Sequence, residues 1–111
     1  MAAERFQSAG ELLIELACMD EKSATTKDGL DLNYFKNLNI KRLENLLHMK
    51  LTQRSEKFSE RGISEAARQI INCKKSLTLT FGKSLVVVDN GKINIKNKQN
   101  EINHNNDNLG R

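Results

Sequence analysis

The sequence predicts a mainly α fold: a small bundle of three to four short helices, then a C-terminal β-hairpin or meander and a disordered tail. Three observations predict it. Proline is absent from all 111 residues. Apolar residues recur at three- and four-residue intervals in three places before residue 72, and the pattern changes to alternation at Leu77. Length allows one small domain, placed at residues 1–96, with an Asn-rich tail at 97–111.

The first helix starts from Ser8 and Glu11, which have capping-box spacing, and Ala9, Leu12, Leu13, Leu16 and Ala17 carry it to about Met19. Phe6 either staples that helix or marks an earlier start. A polar turn over Asp20-Glu21-Lys22-Ser23-Ala24 leads to Gly29, which suits a tight turn. Leu30, Leu32, Phe35 and Leu38 then suggest a short helix capped by Asp31. Asn39 caps the strongest helix, where Ile40, Leu43, Leu46, Leu47 and Leu51 form a stripe and Lys41, Arg42, Lys50 and Arg54 fall on other faces. Ile63, Ala67, Ile70 and Ile71 share the face of a further helix with Ser64 as N-cap, and Lys74 and Lys75 suit its C-terminal end.

Beyond it, Leu77 to Phe81 alternates, Gly82-Lys83 can turn, Leu85 to Val88 is rich in β-branched valine, and Asn90-Gly91 is a type I′ hairpin signal before Ile93 to Ile95. Such a meander must lean on the helices or on another subunit, and its open edge is a candidate dimer contact.

Composition narrows the function classes. Only 38% of the chain is hydrophobic, with four Phe, one Tyr and no Trp, so a thin core and a homo-oligomer, simplest as a homodimer, are expected. Residues 1–31 hold seven acids against three bases (−4) and residues 32–111 fifteen bases against seven acids (+8). A basic body suits phosphate contacts, and an acidic first helix suits a protein surface. Cys18 and Cys73 have no partner at ligand spacing, so neither a metal nor a cofactor is expected. No apolar run reaches membrane-spanning length and the Glu4-Arg5 start lacks a signal-peptide pattern, which predicts a cytoplasmic protein.

No nucleophile with its base and no phosphate loop is legible, and Gly82-Lys83-Ser84 has Thr78 where a phosphate loop needs its first Gly. His48 reads as a surface or half-buried histidine. The expected protein is therefore not an enzyme and takes no small-molecule substrate.

Asp20, Ser23-Ala24 and Gly29-Leu30 resemble, without a gap, the D-x-x-S-A-x-x-x-x-G-[IL] turn of FlhD, the small subunit of the flagellar FlhD/FlhC transcriptional activators. Leu38-Asn39-Ile40, Leu43 and Leu46 resemble that family's next helix after a deletion of about one turn. Leu12, Leu16, Gly62-Ile63 and Arg68 extend the likeness, and about forty residues carry it. The resemblance implies a helical, dimerising, non-catalytic transcription regulator that joins a larger FlhC-like subunit on DNA.

Two functions follow as expectations. In the first, a transcription regulator neutralises DNA phosphates with Lys41, Arg42, Lys50, Arg54, Lys57 and Arg61, while Leu12, Leu13, Leu16, Leu43 and Leu46 form the partner or dimer interface. In the second, a protein-binding adaptor or inhibitor never touches nucleic acid and works through its acidic first helix and strand edge.

Overall fold

The computed structural model describes residues 9–98. Along the chain come α1 (Ala9–Ala24), β1 (Thr25–Thr26), β2 (Gly29–Asp31), α2 (Leu32–Lys36), α3 (Ile40–Gln53), α4 (Glu60–Ile71), β3 (Ser76–Phe81), β4 (Ser84–Asp89) and β5 (Lys92–Asn97). The fold is mixed α and β, which corrects the mainly α expectation. Among the described residues four helices of four or more residues accompany a five-stranded antiparallel sheet in the order β1-β2-β5-β4-β3. The meander is not an appendage. It joins an N-terminal hairpin through Leu30 opposite Ile93 and Asp31 opposite Lys92.

Capping sets the helix starts. Asp31 accepts from the Asn33 amide at 3.0 Å and Asn39 from the Lys41 amide at 2.9 Å, as their side-chain chemistry predicts. Ser59, not Ser64, caps α4, accepting from the Gly62 amide at 2.9 Å. The helix therefore begins five residues earlier than a Ser64 cap would set it, because the first turn, Glu60-Arg61-Gly62, is polar. The Ser8 cap lies outside the described residues. α1 runs through the expected turn to Ala24, because Asp20, polar by type, is buried and hydrogen-bonded within the fold.

α3 ends in a Schellman motif. Ser55 takes φ +60°, its amide bonds to Thr52 O at 2.9 Å and the Glu56 amide bonds to Leu51 O at 3.0 Å.

Two tight turns shape the sheet. Gly82 (φ +60°) occupies the first central position of the β3–β4 turn, as a type II′ hairpin requires. Asn90 and Gly91 (φ +56° and +77°) give the β4–β5 turn its type I′ geometry. Asn97 is the last residue of β5, opposite Ser84, while residues 99–111, most of the expected tail, lie outside the described residues.

One apolar cluster holds the layers together. Leu43, Leu46, Leu47 and Leu51 of α3 meet Ile63, Ala67 and Ile70 of α4, Phe35 of α2, and Val86, Val88 and Ile93 of the sheet. Leu77, Leu79 and Phe81 of β3 pack against that cluster but are only partly covered.

Candidate functional site

The polar side of α3 was the expected phosphate-binding surface, and most of its cations are engaged within the fold. Arg42 grips the carboxylate of Asp20 in a two-point pair, Nε to Oδ2 at 2.8 Å and a terminal guanidinium nitrogen to Oδ1 at 2.7 Å. The Tyr34 hydroxyl donates to the same Oδ1 at 2.7 Å. Asp20 is 1% exposed, so this cluster ties α1, α2 and α3 together at a buried point. The Arg42 guanidinium, with help from Tyr34 and against the opposing effect of burial, holds the Asp20 carboxyl below its usual range. The same bond raises the Arg42 value, and donation to Asp20 raises that of Tyr34.

Lys50 bonds to Glu21 Oε2 at 2.6 Å, and Lys41 lies 3.8 Å from Glu44 with its side chain 78% exposed. Arg54 Nε donates to Ser84 Oγ at 2.7 Å, and that hydroxyl donates to Glu56 Oε2 at 2.6 Å. This chain latches the end of α3 to the first residue of β4. Any Cβ at Gly82 would collide with the Glu56 carboxylate. Lys57 and Arg61 are exposed and form no ion pair among the described residues. The six expected DNA contacts thus divide: Arg42, Lys50 and Arg54 are internal ties, and Lys41, Lys57 and Arg61 reach solvent.

The expected interface leucines divide too. Leu43 and Leu46 are fully buried and hold the core, so they present nothing to a partner. This corrects the expectation, and the reason is that α3 is covered on its apolar face by α1, α2 and α4. Leu12 (52% exposed), Leu13 (49%), Ile14 (53%) and Met19 (63%) stand on α1 as large uncovered aliphatics, with Leu16 half-buried. At about 100° per residue, Leu13 and Ile14 share the side of Ala17 and Ala24, while Leu12, Leu16 and Met19 form a second stripe turned away from it. Beside the first side runs a groove of about 460 Å³, in which Leu13 and Ile14 face Met49 and Ile63 under a polar rim that includes Lys41 and Glu60.

The sheet carries cations that sequence reasoning placed elsewhere or passed over. Lys74, Lys75, Lys83, Lys96 and Lys98 are exposed and make no ion pair among the described residues, whereas Lys92 lies 4.0 Å from Asp31. Lys74 and Lys75 follow α4 rather than cap it, and lead into β3. Of these five, Lys96 alone lies within a strand, so no strand pattern announces them. Among the described residues no three His, Cys, Asp or Glu side chains group as a metal site, and no helix is long and apolar enough to cross a membrane.

No family model, curated protein or solved structure matches this chain. Its function must therefore be argued from the surfaces themselves.

Proposed function

We propose that this protein is a non-catalytic interaction module that pairs with a second copy of itself through the outward stripe of α1. The observation that carries this reading is the exposure of Leu12 and Met19 on either side of half-buried Leu16. A monomer gains nothing by presenting large aliphatics at regular spacing. Their intervals of four and three residues are those of a coiled-coil seam. A twofold axis at Leu16 sets Leu12 of one copy against Met19 of the other, so the stripe is complementary to itself.

The test is sedimentation equilibrium on the wild type and on the double variant Leu12→Glu/Met19→Glu. The expected result is a dimer with a dissociation constant on the order of micromolar, as a small interface allows, and a monomeric variant with unchanged circular dichroism. A wild type that stays monomeric at about 100-fold that concentration, or a variant that still dimerises, overturns the proposal.

A DNA-associated regulator, alone or with a larger FlhC-like subunit, is the second reading, favoured by the exposure of Lys41, Lys57 and Arg61. Three such contacts give a log–log salt dependence of affinity near −2.7, where six would give about −5.4. Measured binding to duplex DNA across a salt series separates these values from no binding.

A further inference from the structure

β3 is an edge strand. It pairs with β4 on one side, and on the other no strand lies beside it among the described residues. The two-residue turn at Gly82-Lys83 makes Phe81 and Ser84 the first hydrogen-bonded pair of the hairpin. Antiparallel alternation then directs the main-chain groups of Phe81, Leu79 and Leu77 toward β4 and those of Ser76, Thr78 and Thr80 outward. Three residues in a row of alternate positions thus offer an amide and a carbonyl each to an incoming strand.

The side chains fit the same use. Leu77, Leu79 and Phe81 point to the core side of the sheet and remain partly uncovered, leaving an apolar shelf next to the open edge. Ser76, Thr78 and Thr80 are exposed on the opposite face. Within Ser76–Phe81 there is no charge and no proline, the devices by which edges are commonly closed to other chains. Cations stand only at the two ends, with Lys74 and Lys75 before the strand and Lys83 after it. Glu56, the nearest acid to the turn, is engaged by the Ser84 hydroxyl and the Lys83 main-chain amide.

Those terminal lysines select the occupant. Two copies pairing β3 to β3 antiparallel with Thr78 opposite Thr80 would set Lys75 of one copy opposite Lys83 of the other, and like charges facing each other oppose that pairing. A strand with carboxylates at both ends meets the same lysines favourably. We infer that β3 is a strand-addition site for an extended segment of another protein, with alternating apolar residues bracketed by acids. The segment becomes a sixth strand, its main chain bonded to Ser76, Thr78 and Thr80 and its apolar side chains laid beside Leu77, Leu79 and Phe81. This site shares no residue with the α1 stripe, so either can fail alone.

The test uses the full chain and two nine-residue peptides with valines at alternate positions and threonines between them. One peptide carries two acids at each end and the other two lysines. Fluorescence anisotropy measures affinity, and amide hydrogen exchange by NMR locates the contact. The expected result is saturable binding of the acid-bracketed peptide below about 1 mM, with new protection at the Ser76, Thr78 and Thr80 amides. The double variant Lys74→Glu/Lys75→Glu should weaken it by about tenfold or more and favour the lysine-bracketed peptide instead. Thr78→Pro removes an outward amide that β4 does not use, so it should abolish binding while circular dichroism stays unchanged. Absence of saturable binding, equal binding of both peptides by the wild type, protection that maps to α1, or protection of the same three amides by self-association without peptide would each overturn the inference. If Thr78→Pro does not fold, the charge-reversal pair still decides the outcome.

Discussion

α1 and α3 are leucine-bearing helices of similar length, 16 and 14 residues, and they meet opposite fates. Leu43, Leu46, Leu47 and Leu51 of α3 are wholly removed from water, while Leu12 and Leu13 of α1 keep about half their surface in it. Periodicity reports that a helix has an apolar side, and it says nothing about how many neighbours arrive to cover that side. α3 is covered because α1, α2 and α4 all pack on it. The first two turns of α1 are tied to α3 by the Asn45 side-chain amide, which donates to Leu13 O at 2.7 Å, yet leave their aliphatics in water, while the C-terminal half is clamped by Asp20 and the small residues Ala17 and Ala24.

Truncating each helix gives the largest expected separation. Leu47→Ala should lower the unfolding free energy by about 3 kcal/mol, since the site is sealed and a cavity remains. Leu12→Ala should stay within about 0.5 kcal/mol when measured where the protein is monomeric. Urea denaturation of both variants checks the contrast, and equal losses would break it.

The clamp between the helices is the next target. Arg42→Ala leaves the Asp20 carboxylate buried with Tyr34 as its one remaining side-chain donor, and should lose about 3 kcal/mol. Asp20→Asn should lose less, about 1–2 kcal/mol, because the Arg42 side chain, 32% exposed, can turn to water. The acid dependence follows from the lowered carboxyl value of Asp20. A carboxyl depressed in the folded state contributes stability that is complete above its unfolded pKa, about 3.9, and vanishes as pH falls through the folded value. Urea midpoints from about pH 7 down to about pH 3 should fall more steeply for the wild type than for Asp20→Asn. Parallel curves would remove Asp20 from the account.

The smallest expected effect lies at the far end of α3. Ser55 sits at φ +60°, where a glycine is at ease and a residue with a Cβ is strained. Ser55→Gly should stabilise by about 0.5 kcal/mol, the relief of that strain less the added freedom of the unfolded chain. Thermal unfolding reads it, and a loss of stability would mean that the Ser55 side chain adds something beyond the turn.

The three long strands and both hairpin turns were legible because alternation and Asn90-Gly91 are strong local signals. β1 and β2 were not, being two and three residues long with no period to detect. Their absence from the sequence reading made the fold look mainly α. Asn39 and Asp31 announced the starts of their helices by cap chemistry, and apolar spacing announced the helices themselves. Asp20, read as a turn residue, takes its role from Arg42, 22 positions later, and local patterns carry no trace of such a pair. The cations of α3 are legible as residues and their internal ties are not, for the same reason, since Glu21 and Ser84 are close to Lys50 and Arg54 only in space.

The pairing of Leu30 with Ile93 also fixes a schedule. A ribosome adds about 5–20 residues per second, so β2 emerges several seconds before the strand that completes its ladder. During that interval α2, α3 and α4 emerge in turn, and the sheet cannot close. Maturation of the fold thus awaits the synthesis of β5, and a stalled or prematurely terminated chain would leave β2 without its neighbour.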